Sequence, residues 1–259
     1  MNLIKDLYKR NSLLTTLGTI NFVLALVLGI IALFNTETIL GLNSMIKPMK
    51  FSLSIGIYAY TMAWLLSYVN NQNKVKWYSR TAMVVFIVEQ FAIISQAFRG
   101  ELSHFNTTSI YGGILYALMG VFITILTFHT LYIAIVFIFQ KSYSISPTLA
   151  LSIKIGLVLF VVFSFFGGYM SAINRHSMGG DDGGLGLPML NWSTIHGDLR
   201  VPHFFGLHTL QIIPLFGYYI SSKTKFANPK MLVWGFTILY LAFVLFTLNE
   251  ALEGKPFIG

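Results

Sequence analysis

The sequence predicts an all-α fold, a bundle of seven transmembrane helices, and three observations carry that expectation. Apolar stretches, each long enough to cross a bilayer, fill the 259-residue chain almost from end to end. The composition is 55% hydrophobic and 10% charged, with a mean hydropathy of +0.71, the balance of a chain solvated mostly by lipid. The runs are continuous, whereas a β-barrel, the other structure that satisfies its backbone in hydrocarbon, shows short alternating segments. Residues 1–259 therefore read as one integral membrane domain with no room for a separate soluble one.

The expected spans are Leu13 to Phe34, Met49 to Val69, Trp77 to Phe98, Tyr111 to Phe139, Leu149 to Ile173, His203 to Ser221 and Met231 to Asn249. Each is close to the ~20 apolar residues that cross ~30 Å of hydrocarbon. The first has a basic flank like a signal sequence, but its apolar run is long and no small-residue cleavage site follows Phe34, so it reads as an uncleaved anchor. The second opens on Lys47-Pro48-Met49-Lys50-Phe51, two lysines on the side that topology disfavours for them. They read either as snorkelling at the interface or as contacts to a headgroup or anionic substrate.

The third span holds Glu89 near its middle and Gln96 on the same face, with Arg99 at its end. A carboxylate at that depth costs roughly 2.5–3.5 kcal/mol to insert if charged, so Glu89 is expected to be protonated, paired or in a hydrated cavity. The fourth span carries His129, which packing of neighbouring helices would bring within a turn or two of Glu89. A proton path and plain helix–helix hydrogen bonding are both open for that residue. Haem b would need a second axial histidine at the same depth, and none is evident. In the fifth span Lys154 reads as snorkelling.

Pro202 opens the sixth span, on which His203 and His208 point ~140° apart. His208, Gln211, Leu215 and Tyr218 form a stripe there that should face the bundle interior. The seventh contains no lysine, which excludes a retinal Schiff base of the rhodopsin kind. No internal repeat and no broken helix is evident, which weakens a transporter built from inverted repeats.

Orientation follows from the basic residues. With the N-terminus cytoplasmic, Lys5, Lys9, Arg10, Lys74, Lys76, Arg80, Lys141, Lys223, Lys225 and Lys230 are inside, against Lys47, Lys50, Arg99, Arg175, Arg200 and Lys255 outside. The positive-inside rule favours this N-in, C-out arrangement. It makes the chain a multi-pass protein of a cell membrane, the lipid bilayer its first partner. The net charge of +8 is accounted for by these loops, so nucleic acid is not an expected partner. With no cysteine, disulfides, thiolate catalysis and thiolate-bound clusters are excluded.

One connection stands out. Residues 174–202, NRHSMGGDDGGLGLPMLNWSTIHGDLRVP, are too long for an ordinary helix connection. They mix turn-forming glycines with Met178, Leu185, Leu187, Met189, Leu190 and Trp192, so an ordered outer lid between helices five and six is expected, the other reading being a solvated connector. Beneath it the outer face would gather His104, His176, His196, His203 and His208 as candidate metal ligands. His208, Asp198, Arg200, Gln211 and Glu89 are candidates for chemistry, and Arg99, Asn106, Lys50 and Arg175 for substrate contact. Imidazole and carboxylate ligands suit a transition metal, Zn, Cu or Fe; the arginines would equally clamp an anionic headgroup. No HExxH or similar paired-histidine motif is present.

The strings IKPMKFSLSI, QAFRGELSHFN, DDGGLGLPMLNWST and GDLRVPHFFGLHTLQ resemble, in this order and over most of the chain, an uncharacterised family of bacterial multi-pass membrane proteins. The resemblance implies a bacterial inner-membrane location. It implies no activity, and it highlights His104, Asn106, Asp198, Arg200, His203, His208 and Gln211. Two function classes follow. One is a metal-dependent or redox enzyme acting on a small-molecule or lipid substrate at the outer face. The other is a proton-coupled transporter, or a lipid- or anion-binding protein, using Glu89 and His129. A structural or sensory membrane protein without chemistry is the third possibility.

Overall fold

The computed structural model describes residues 3–106, 109–184, 186–223 and 226–259; Leu185 and Lys225, named above, lie outside the described residues. The described residues are all-α apart from two short ladders and one isolated bridge, Gly186 with Ser193. It divides into two compact units, Met1–His129 and Thr130–Gly259, the boundary falling inside one long helix.

The first unit begins with a short amphipathic helix, α1 (Leu3–Arg10), that the span count did not anticipate. Its last residue is tied down, because Arg10 pairs with Asp6 at 2.7 Å and donates to Ser67 Oγ at 3.0 Å. Next comes α2 (Ser12–Phe34), started by Asn11, whose side chain accepts from Leu14 N and so satisfies one of the free amides of the first turn. A hairpin, β1 (Thr38–Ile39) and β2 (Leu42–Asn43), turns through Leu40 and Gly41, both at positive φ, as the tight primed turns demand. Asn43 donates to the carbonyls of Ala32 and Asn35 and closes the end of α2.

Helix α3 (Ile46–Leu66) starts three residues earlier than the apolar pattern does. Pro48 falls in its first turn, where no intrahelical amide is needed. It packs on α2 through small residues: a Cβ on Gly18 would lie 2.3 Å from the Tyr60 ring, and one on Gly56 2.9 Å from Phe22. Helix α4 (Gln72–Phe98) is capped by Asn71, and α5 (Ile110–Ile138) carries the unit boundary.

In the second unit α6 (Pro147–Ala172) starts with Ser146 as cap and Pro147 in its first turn. A β-ladder of β3 (Ser177–Met178) and β4 (Gly197–Asp198) ties the two ends of the long connection together. The expected sixth span is interrupted: α7 (Arg200–Leu207) ends at His208 and α8 (Thr209–Ser222) follows, with Pro214 inside it. The Phe205 carbonyl at the break accepts from Tyr240 Oη at 2.8 Å, so the interruption leaves no orphaned acceptor there. Tyr240 belongs to α9 (Pro229–Leu252).

Among the described residues five helices, α2, α4, α5, α6 and α9, are long and apolar enough to cross a membrane. Helix α3, with Lys47 and Lys50, falls short of that apolarity. Helices α7 and α8, of 8 and 14 residues, are individually shorter than the ~20 residues a span needs.

Candidate functional site

The residues expected to share a site divide between the two units, and each half is built separately. In the second unit the connection from Asn174 to Leu199 is a folded element. Asn174 takes a positive φ just after α6, and Asp182 accepts from the backbone N–H of Ser177 at 2.7 Å and of His176 at 3.2 Å. The Leu187–Trp192 segment closes on itself, Leu187 N donating to Trp192 O and Asn191 N to Leu187 O. Trp192 is the anchor, 7% exposed, with its ring on Phe204, Phe205 and Phe257. Pro188 and Met189 are the exposed tip of this turn rather than part of its footing.

Asp198 is the centre of the arrangement. Its side chain is 0% exposed and accepts from Ser193 N (3.0 Å), Arg200 N (3.0 Å), Arg200 Nε (2.9 Å) and Arg200 Nη2 (2.6 Å). His176 Nδ1 lies 3.8 Å from it and 3.3 Å from Asp182. Burial opposes the charge on Asp198, but the Arg200 guanidinium, the Ser193 amide and the nearby His176 outweigh it and hold the carboxyl below its ordinary range. Arg200 also donates to Asn191 O. Both oxygens are thus occupied by groups that fasten the connection to the start of α7. The carboxylate works as a clamp.

The histidines of this unit go to separate partners. His203 Nδ1 lies 3.0 Å from Phe163 O on α6, its ring under Gly167, where a Cβ would sit 2.9 Å from Cε1. His208 Nδ1 lies 3.2 Å from Gln211 Oε1, beside the Phe204 ring. His196 covers Gly180. Leu215 and Tyr218, the inner half of the expected stripe, are 54% and 53% exposed, so the stripe turns outward past Gln211. Arg175 is exposed. Among the described residues no three His, Asp or Glu side chains converge as a group able to hold a metal.

In the first unit the expected residues are Glu89 and Arg99 on and at the end of α4, Lys50 on α3, His104 and Asn106 in the connection after α4, and His129 on α5. Tyr78, Ala82, Val85, Glu89, Ile93 and Gln96 are buried along α4, recurring at the spacing that keeps one helical direction. Glu89 is 6% exposed and its Oε1 has no partner among the described residues. Beside it Gln90 Nε2 donates to Asn21 Oδ1 (2.9 Å) and Ser52 Oγ (2.6 Å), joining α4 to α2 and α3.

At the C-terminal end of α4, Gln96 Nε2 donates to Leu102 O at 3.0 Å while its Oε1 is buried without a partner among the described residues, as is Tyr116 Oη on α5. His104 lies among Phe51, Phe105 and Tyr116, 5.6, 6.4 and 6.3 Å between ring centres, with Nδ1 3.1 Å from Ser103 Oγ. Burial and the charge of Lys47 hold this imidazole well below its ordinary range, so it is neutral. Arg99 is occupied, 3.1 Å from Glu101 and 4.7 Å over the Tyr111 ring. Asn106 holds the loop closed by donating to Glu101 and Leu102. Lys50 is half-buried in the first turns of α3.

At the opposite end, His129 Nδ1 lies 3.0 Å from Thr81 Oγ1 and its ring meets Tyr78 edge-on at 5.2 Å. Thr81 is ~12 Å of helix rise from Glu89, farther than the turn or two expected. The Tyr58 and Tyr78 hydroxyls are hydrogen-bonded to each other. These two tyrosines, Tyr116 and Gln90 escaped the sequence reading. The signal that could have found Tyr78 is its place in register with Glu89 and Gln96. No protein family, no curated protein and no solved structure matches the chain.

Proposed function

We propose that this chain is a seven-span protein of the bacterial inner membrane, N-terminus cytoplasmic and C-terminus outside, that works as a proton-coupled transporter with Glu89 as its proton-binding group. The observation that carries the proposal is the buried Glu89 carboxyl, with an oxygen that meets no donor, in the middle of a helix long and apolar enough to span a bilayer. Intramembrane carboxyls mark ion and proton paths, and Oε1 of this one meets no donor among the described residues.

At the α7–α8 junction His208 keeps a right-handed helical backbone and its N–H still bonds Phe204 O, so the two helices run on as one segment. The count of seven takes α3 as a span and α7 with α8 as one more. The metal-dependent or redox enzyme has less behind it: Asp198, Arg200, His176 and His203 are engaged in fastening the second unit together, and His208 pairs locally with Gln211.

The test uses the purified protein in liposomes enclosing a pH indicator, under an imposed potassium diffusion potential. Wild-type vesicles should acidify, Glu89→Gln vesicles should behave as empty ones, and Glu89→Asp should retain part of the flux. Wild-type vesicles no more permeable than empty ones, or full flux in Glu89→Gln, would sink the proposal.

A further inference from the structure

We infer that Glu89 is reached through two separate portals at opposite ends of the buried face of α4, each closed in this structure by about one turn of apolar side chains. The inference rests on Glu89 being the proton site. Tyr78, Glu89 and Gln96 point within ~20° of one another on α4, with rises of ~16 Å and ~10 Å between them. A proton passes directly only between groups ~3 Å apart, so neither interval is crossed without water.

On the face of α4 that carries Tyr78, Glu89 and Gln96 the residues between them are apolar, Gln90 turning ~100° away toward Asn21 and Ser52. Between Tyr78 and Glu89 lie Ala82, Val85 and Phe86, all buried, with the Tyr58 ring 5.3 Å from Phe86. Between Glu89 and Gln96 lie Ala92 and Ile93, which form one cluster with Leu115 and Met119 of α5, backed by Phe51 and Tyr116.

Beyond each seal stands a polar group. On the N-terminal side of α4 it is the Tyr58–Tyr78 hydroxyl pair with His129. On the C-terminal side it is Gln96 Oε1 and Tyr116 Oη, both buried and without a partner among the described residues, with the His104 ring against Tyr116. No other ionisable group replaces Glu89 in this stretch. The helix α2 carries none, α3 contributes Lys47 and Lys50 in its first turns and Tyr58 and Tyr60 further on, and α5 contributes Tyr111, Tyr116 and His129 up to the boundary. A site sealed on both sides exchanges its proton with one face at a time, so protons cross only as Glu89 alternates between the faces, the movement that the imposed potential drives. Opening both seals at once would be a leak.

The chain contains no cysteine, so single cysteines can be placed without background. Ala82→Cys and Ala92→Cys report the two seals, and Phe91→Cys, 63% exposed on the same helix, is the control for the outer surface of α4. In sealed vesicles of each orientation, a charged, membrane-impermeant thiosulfonate should modify Ala82→Cys only from the face where α4 begins. It should modify Ala92→Cys only from the face where α4 ends, and Phe91→Cys from neither. Near-isosteric Ser79→Cys and Ser103→Cys, beyond the two seals, serve if either alanine variant does not fold. Modification of both positions from one face, or of neither position while the wild type carries protons, overturns the inference. The two failures are separable. Flux surviving in Glu89→Gln with one-sided labelling intact removes the proton reading. Flux lost in that variant with both cysteines labelled from one face removes the portals.

Discussion

Replacing Asp198 should release the Asn174–Leu199 connection before it unfolds anything else. Asp198→Ala leaves the Ser193 and Arg200 amides without their acceptor, and an unsatisfied buried donor costs about 1–3 kcal/mol. The lost ion pair adds only ~1 kcal/mol, because Arg200 is 29% exposed and regains water. A total of ~3 kcal/mol raises the open population of the connection on the order of 100-fold. When opening is fast relative to cleavage, proteolysis tracks that population. A nonspecific protease acting on the purified protein should therefore cut between residues 179 and 195 on the order of 100-fold faster in Asp198→Ala, with Asp198→Asn intermediate. A change under ~3-fold, less than ~1 kcal/mol, would refute the view that this carboxylate fastens the connection. The sign of the pH effect is fixed by the lowered carboxyl value. A depressed acid contributes fully above its unfolded value, ordinarily 3.8, and loses its contribution as pH falls through the folded one, so docking should be unchanged from neutral pH to about 4 and fail below it.

Two other outcomes are expected. Gly197→Ala would put a Cβ 2.0 Å from the Ala251 carbonyl oxygen, whereas Gly235 meets nothing within 4 Å. The first variant should lose roughly 1–3 kcal/mol in thermal unfolding and the second should gain up to ~1 kcal/mol; equal effects would show that β4 does not press on α9 as described. Because His104 is held neutral in the fold, the unfolded chain takes up the extra proton. Wild-type stability should then fall as pH drops below the ordinary 6.5, by up to ~1.4 kcal/mol per unit, and His104→Gln should flatten that slope. Parallel melting curves for the two proteins would count against a neutral, enclosed His104.

Hydropathy made the long helices legible, since lipid-scale apolar runs leave their mark within one segment. It missed α1, which is short and polar, and the break at His208. Position 208 carries no glycine or proline; the interruption is sustained by Tyr240 reaching from α9 to the Phe205 carbonyl, a partner thirty-five residues away. The charges around Asp198 were visible, but their mutual pairing across the β4–α7 junction was not. A run of His, Asp and Arg at one level reads equally as a site or as a clasp. His203 shows the same limit, because its partner is a backbone carbonyl and sequence carries no sign of which carbonyls lie within reach. In the first unit Glu89 was conspicuous by chemistry alone, whereas Tyr116 and Gln90 matter through where α5, α2 and α3 meet α4.

The glycine-lined contact of α2 with α3 bears on how such a chain enters a bilayer. Helix α3 is the long helix that falls short of spanning apolarity, and a segment of that kind partitions poorly by itself. In the proposed seven-span topology its route into lipid runs through a neighbour already there, with Tyr60 seated on Gly18 and Phe22 on Gly56. Enlarging either glycine would therefore act during synthesis. A helix that misses its docking partner stays outside the membrane, and each later segment is threaded in the reverse direction. The defect would register as inverted molecules in the membrane, at a step that precedes any equilibrium between folded and unfolded forms.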